Sequence, residues 1–472
     1  MKQIVYWDLE RNIPLLRRKT SCKLVSVVAE SDLRPLFNAE LSRLRYYMYE
    51  KYGSCSKSLL PRGVALVSQV KDYLDDMKSV YADGGLLCHF YFNPAKLKWC
   101  IRLSKIGVLK AVRDHIISYG YLWRRSISKG VYRLNDFEKK FTGGVSDEFA
   151  ILSSEGKVLG LGVIEGNKVI VIKKWAKPPL EVSEEKSTWR EFVEENYTEI
   201  EHKVFESLNL LMKFYRKKKR SRKFIVTFSG GKDSSVVLSL AMEAKIDCEV
   251  LFNDTGVEHF ETISFVKVLA NKLGAPLNII EAPTDFYKKV AEKGPPARDY
   301  RWCTDYLKIM PSQKYFARFL RTVNVVGLRR VESSSRSRLG YVFRQSENPD
   351  VVGLAPILKW SGIHVWMYIA TRGLPYNPLY LVGFERVGCF MCPSANLSEL
   401  NFTRKVHNEL WEPWENILQE VASKLGLNSN WSKYCLWRWK GLGVKKRELC
   451  KAIGDMSLYI EYDYAKILAS NT

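Results

Sequence analysis

The stretch from Phe224 to Leu240, FIVTFSGGKDSSVVLSL, holds the most chemistry in the chain. A short apolar, β-rich run, Phe224 to Phe228, enters a turn of Ser229, Gly230, Gly231, Lys232, Asp233 and Ser234, and an apolar helical run leaves it. Strand, glycine turn and helix in that order make a cradle for phosphate, because the free amides of the turn and of the first helical turn point at one place. Glycine lets the backbone approach an anion. Lys232 and the hydroxyls of Ser229 and Ser234 add side-chain donors. The spacing is not that of the GxxxxGK[ST] loop. Lys232 and Asp233 are catalytic candidates, together with Asp254. Asp254 follows a second strand-like run, Cys248 to Asn253, where an acidic group can hold the Mg²⁺ of a bound ATP. A further run, Val323 to Val326, delivers Arg329, Arg330, Arg336 and Arg338, suited to bidentate recognition of phosphate or sulfate. Cys389 and Cys392 form a Cys-x-x-Cys pair, a signal for metal or redox chemistry.

The turn SGGKDS resembles the PP-loop of ATP pyrophosphatases, and in particular that of the phosphoadenosine phosphosulfate (PAPS) reductase family. Other motifs of that family follow in order. Thr255, Gly256, Glu258, Glu261 and Thr262 match its TGxExxET pattern, which implies that Thr255 and Gly256 touch the nucleotide. The two glutamates also suit a helix N-terminus without any ligand. Cys303 precedes Leu307-Lys308-x-x-Pro311, which makes Lys308 a candidate phosphate contact. Gly327, Arg329, Glu332 and Ser333 match GxRxxES, and Leu374 to Tyr380 (LPYNPLY) continues the pattern. The family fold would bring Cys303 to Cys389 and Cys392. Iron–sulfur members hold a [4Fe–4S] cluster with a Cys-Cys pair and a Cys-x-x-Cys, whereas here the pair reads Trp302-Cys303. Cys435 is the best candidate for a fourth ligand. The alternatives are a cluster with an open iron, a zinc ion, or no metal.

The resemblance implies an α/β fold: a central PP-loop parallel-sheet domain, Rossmann-like and of the adenine nucleotide alpha hydrolase type. An α+β region and a small PUA-like β-barrel precede it. The expected segments are 1–125, an α+β region; 126–178, the PUA-like part; 179–223, a helical linker; 224–400, the catalytic domain; and 401–472, a helical tail. The start resembles a zinc ribbon of archaeal family members, between Tyr6-Trp7 and Asn12-Ile13-Pro14. Its cysteine positions are Asp8 and Arg11, with Cys22 further on, so no zinc is expected there. Helical spacing places Leu41, Leu44 and Met48 on one face, and Ile106 to Tyr119 reads as another amphipathic helix. Glu155 to Gly162 resembles late strands of a PUA domain, followed by a hairpin turn at Gly166-Asn167. Pro178-Pro179 marks a linker, and Ser187 to Tyr215 is helical.

A net charge of +23 over 472 residues suits a polyanion partner, nucleic acid first. A generally lysine-rich proteome is the alternative. The run Arg216 to Arg220 is either a solvated face or a guide for an RNA backbone. Trp431, Trp437 and Trp439, interleaved with basic residues, form either a platform for single-stranded RNA or the core of a helical cap. There is no signal peptide and no stretch long and apolar enough to span a membrane. The ten cysteines are scattered, which points to a reducing, cytoplasmic setting. The first functional reading is an enzyme that binds ATP with Mg²⁺, adenylates RNA (tRNA) and replaces the AMP with sulfur from a donor protein. The second is a PAPS or adenosine phosphosulfate reductase. Those reductases carry a nucleophilic cysteine in a C-terminal Glu-Cys-Gly-(Ile/Leu)-His motif, and this tail offers only Cys435 and Cys450. The third is a non-catalytic RNA-binding protein.

Overall fold

The structure, a computed structural model, describes residues 2–20, 23–123, 126–175, 182–345 and 348–464. Cys22 and the Pro178-Pro179 linker lie outside the described residues. The chain forms two compact units. One comprises Met1–Lys71, Met77–Tyr91 and Trp99–Glu199; the other comprises Asp72–Asp76, Phe92–Lys98 and Ile200–Thr472.

The first unit is built mostly on antiparallel pairing. Gln3–Asp8 is the centre of a three-stranded sheet with Ile13–Leu15 and Leu24–Ala29. The hairpin forms without thiols. Arg11 Nε lies 2.9 Å from Asp8 Oδ2, and Asp8 also accepts the Glu10 amide at 3.0 Å, so an ion pair closes the turn. A five-stranded sheet runs from Leu33–Pro35 to Lys98–Leu103, and the helix Asn38–Tyr52 buries Leu44 and Met48. In the first turn of this helix Glu40 is clamped by Arg34 Nη1 at 2.7 Å and Lys78 Nζ at 2.6 Å, with all three side chains buried.

A six-stranded sheet follows. Its order is Val131–Arg133, Lys168–Lys174, Val158–Glu165, Glu148–Ser153, Ser118–Leu122, Glu138–Phe141. Ser118–Leu122 pairs in parallel with Phe149–Ser153, so the β-rich part begins before residue 126, and the expected helix to Tyr119 ends instead at Arg113. The cause is local. Residues 118–122 alternate between fully and partly buried, which is a strand's period and not a helix's. Leu122, Phe137, Phe149, Ile151 and Leu159 form the core against this sheet.

The second unit contains a six-stranded, mostly parallel sheet: β1 (Lys223–Thr227), β2 (Glu249–Asp254), β3 (Leu277–Glu281), β4 (Thr322–Val325), β5 (Val342–Gln345) and β6 (Asn348–Leu354). The order is β3-β2-β1-β4-β6-β5, and only β5 runs antiparallel. Strand order reverses between β1 and β4, and the crevice outside the carboxyl ends of such strands is where an open α/β sheet binds ligands. The buried apolar strand residues Phe224, Ile225 and Val226 are what a sheet covered on both faces requires. Helices α1 (Lys232–Glu243) and α2 (Phe260–Lys272) follow β1 and β2. The tail folds into this unit through α3 (Leu397–Val406) and α4 (Asn408–Lys424). Trp431 and Trp437 are fully buried and Trp439 nearly so. Trp437 meets Trp414 edge to face at 5.3 Å. The tail tryptophans are therefore core, not a surface for bases.

Candidate nucleotide cradle and thiol cavity

The cradle is the turn between β1 and α1. Gly230 takes φ +72°, the left-handed region that glycine tolerates, and a Cβ there would stand 2.9 Å from Thr262 Cγ2. The N-cap of α1 is Gly231, which supplies no side-chain acceptor to the first turn of the helix. Inside the turn, Ser234 Oγ donates to the Gly231 carbonyl at 2.9 Å and accepts the Ser229 amide at 3.2 Å. Two residues of the LPYNPLY run hold it from outside. The Lys232 amide donates to the Tyr380 hydroxyl at 3.0 Å, and Asn377 Nδ2 donates to Thr262 Oγ1 at 3.0 Å and to the Gly230 carbonyl at 3.4 Å.

The charged groups of the cradle are coupled. Lys232 Nζ lies 3.1 Å from Asp233 Oδ2, and Arg329 Nε lies 2.6 Å from Asp233 Oδ1. Burial works against the Asp233 carboxylate, but Arg329 and Lys232 more than offset it and hold the carboxyl below its usual range. Burial likewise opposes the Lys232 ammonium, and Asp233 with Tyr380 raises its pKa. The result is one carboxylate between two cations, positive in sum, at the N-terminal end of α1. Such an arrangement suits an anion. Gly327, at the end of β4, lies against the backbone of Asp233 and Ser234, so a Cβ there would come within 2.7 Å of Asp233 C.

A second feature opens at the carboxyl end of β2. A cavity of about 340 Å³ is lined by Thr255, His259, Cys303, Lys308, Cys389 and Cys392, among others. Glu258 pairs with Cys389 in an isolated antiparallel bridge, which ties the segment after β2 to the Cys-x-x-Cys turn. Glu258 Oε1 accepts from Thr255 Oγ1 at 2.9 Å and from Cys389 Sγ at 3.5 Å, and Lys308 Nζ lies 3.6 Å from it. Burial, then the Glu258 carboxylate, pushes the Cys389 thiol up to about 12. The Cys389 sulfur, with Glu258 behind it, raises the pKa of Lys308 above that of an ordinary lysine. Arg298 holds the segment after Cys392, donating to the Pro393 and Ala395 carbonyls at 2.8 and 2.9 Å.

The expected site residues therefore fall into groups. Ser229, Gly230, Gly231, Lys232, Asp233, Ser234 and Arg329 form the cradle. Asp254 and Gly256 stand at the end of β2, where Asp254 Oδ1 accepts the Gly256 amide at 2.9 Å. Thr255 and Lys308 face the thiol cavity. Arg330 is turned to structure, donating twice to the Leu339 carbonyl, at 3.1 and 2.7 Å. Cys303, Cys389 and Cys392 share the cavity, and Cys435 does not line it. Cys435 is buried in a left-handed turn, with Arg404, Arg438 and Glu415 as its charged neighbours. A four-thiolate cluster or zinc site does not fit this donor set. Among the described residues, no trio containing these thiols gathers its ligand atoms within 4.8 Å. Tyr380, Asn377, Gly327 and Arg298 carry roles that the sequence assigned to none of them. The first two lie in a run marked only by resemblance.

A family profile described as the phosphoadenosine phosphosulfate reductase domain matches residues 223–395. An uncharacterized protein of Methanocaldococcus jannaschii is 28% identical, over 92% of this chain and 96% of its own. A second one from the same organism is 33% identical, over 63% of this chain and 71% of its own. Adenosine 5'-phosphosulfate reductase of Bacillus mycoides is 28% identical, over 43% of this chain and 86% of its own. With the matched span beginning at β1 and ending just past the Cys-x-x-Cys turn, the chain belongs to the phosphoadenosine phosphosulfate reductase family.

Proposed function

We propose that this protein binds ATP at the cradle, adenylates an oxygen of an RNA, tRNA first, and replaces the AMP with sulfur handled by the thiol cavity. The observation that carries this reading is the placement of three thiols in a cavity that opens at Thr255, beside the strand that ends in the cradle. Gly230, Gly231 and Lys232 hold the phosphates, and Asp254 would hold the Mg²⁺ that accompanies ATP. The substrate oxygen attacks the α-phosphorus, the bond to the bridging oxygen breaks, and pyrophosphate leaves. A donor protein loads Cys389 with a persulfide. Its terminal sulfur attacks the activated carbon, AMP leaves, and Cys392 resolves the mixed disulfide. The thiolated base is released with a Cys389–Cys392 disulfide, which an external dithiol reduces. The run Arg216 to Arg220, exposed except at half-buried Lys218, supplies cations for the RNA backbone.

A sulfonucleotide reductase is the second reading, favoured by the adenosine 5'-phosphosulfate reductases among the relatives. Cys435 and Cys450 are buried, so the nucleophile of that reaction would be a cavity thiol. One experiment separates the two. Pyrophosphate release from Mg-ATP is measured with and without tRNA, and sulfite is measured from PAPS and adenosine phosphosulfate. Release that requires tRNA supports the first reading. Sulfite without such release supports the second.

A further inference from the structure

We infer a second site in the C-terminal unit, outside the cradle, in which His259, Glu261 and His407 bind a divalent first-row metal ion, zinc by preference. His259 immediately precedes α2, Glu261 lies in its first turn, and His407 is the residue between α3 and α4. Each offers one ligand atom, and the three atoms lie within 4.8 Å of one another. His407 Nε2 stands 3.3 Å from Glu261 Oε1, close to the spacing of two ligands on one tetrahedral ion with bonds of about 2.0–2.2 Å.

An ion pair between His407 and Glu261 explains only part of this. It leaves His259 Nδ1 and Glu261 Oε2 buried with no hydrogen-bond partner. His259 is 1% exposed, and the edge contact of its ring with Phe384, centroids 5.3 Å apart, walls it off from water. Buried polar atoms without partners are uncommon and costly. Two of them, on residues that already share a cluster of two imidazoles and a carboxylate, find their partner in a cation.

The donor set is the two-histidine, one-carboxylate kind that zinc takes with a position left open. With Nε2 of His407 on the metal, its Nδ1 faces the carboxylate of Glu409, with Oε1 at 3.7 Å. Glu261 is 31% exposed at its side chain, which gives the ion a way in.

The test uses the full chain carrying Cys303→Ser, Cys389→Ser and Cys392→Ser, stripped with chelator and titrated with Co²⁺ and Zn²⁺. One equivalent of Co²⁺ is expected, with ligand-field absorption, no thiolate charge transfer, and a raised Tm. His407→Gln and Glu261→Gln are each expected to weaken binding at least about tenfold, equal to about 1.4 kcal/mol. X-ray absorption of the zinc-loaded triple-serine protein counts imidazoles directly, independently of how the histidine and glutamate variants fold. Two imidazoles support the site. Absence of stoichiometric binding, unchanged affinity in both folded variants, or a shell with no imidazole overturns it.

Discussion

Lys232→Met tests the cradle most sharply, because the structure separates its effect on the ligand from its effect on the fold. Lys232 Nζ is 3.1 Å from Asp233 Oδ2, but Asp233 is also held by Arg329 at 2.6 Å. Removing Lys232 leaves the carboxylate with a cation, so no uncompensated charge is buried. The methionine chain keeps the contact with the face of Tyr380, over whose ring the ammonium sits at 5.6 Å. The fold is therefore expected to survive with little change in Tm. The phosphates lose a charge-assisted hydrogen bond, worth about 1.5–3 kcal/mol, so ATP binds about tenfold to hundredfold more weakly. Arg329→Met differs. Arg329 is 3% exposed and is the larger of the two influences that keep Asp233 ionised against burial, so its loss lowers Tm well beyond the Lys232 variant. Calorimetric titration with a non-hydrolysable ATP analogue and thermal melting of both variants decide the matter. An analogue affinity within twofold of wild type in Lys232→Met would refute the assignment of the cradle. Equal Tm losses in the two variants would refute the division of labour around Asp233.

Three further outcomes follow from contacts away from the phosphates. Gly327→Ala places a methyl within 2.7 Å of Asp233 C, on backbone that cannot swing aside, and is expected to displace the start of α1 and cost at least tenfold in analogue affinity by the same titration. Asn377→Ala removes the donor shared by Thr262 and the Gly230 carbonyl. It is expected to destabilise by about 1–3 kcal/mol, read by urea unfolding, with faster hydrogen exchange at the turn. In the first unit, Glu40→Gln leaves Arg34 and Lys78 buried without their carboxylate, at a cost of about 3–5 kcal/mol. Burial opposes the Glu40 carboxylate, but Arg34 and Lys78 hold its pKa below the usual carboxylate range. Its contribution is therefore complete above the unfolded value of about 4.3 and is lost as pH falls toward the folded one. The wild type is expected to lose stability over that acid window more steeply than Glu40→Gln, by denaturant titration at stepped pH.

What the sequence makes legible here depends on how far apart the interacting residues lie. The cradle is contiguous: Phe224 to Ser234 contains its strand, its glycines and its lysine, so type and spacing suffice. The thiol cavity is half-legible, since Cys389 and Cys392 announce themselves by spacing but Cys303 joins them only through the fold. Cys435 shows the failure of that logic. It is a cysteine of the right kind in a chain short of one ligand, yet the left-handed turn at its own backbone buries it against Arg404 and Arg438. The tail tryptophans fail in the other direction. Aromatic and basic residues interleave in a nucleic-acid platform and in a helical cap alike, and only burial, complete for Trp431 and Trp437, separates the two. The residues that hold the cradle, Asn377, Tyr380 and Gly327, are far from it in sequence and carry no pattern that names their target. The imidazoles of His259 and His407 are just as far apart as Lys232 and Tyr380, and neither has a neighbour that marks it as a ligand. Local chemistry is written in adjacent residues, whereas the support that makes it usable is written in the topology. A substitution at Gly327 is expected to disable a loop that it belongs to only through the β1–β4 pairing.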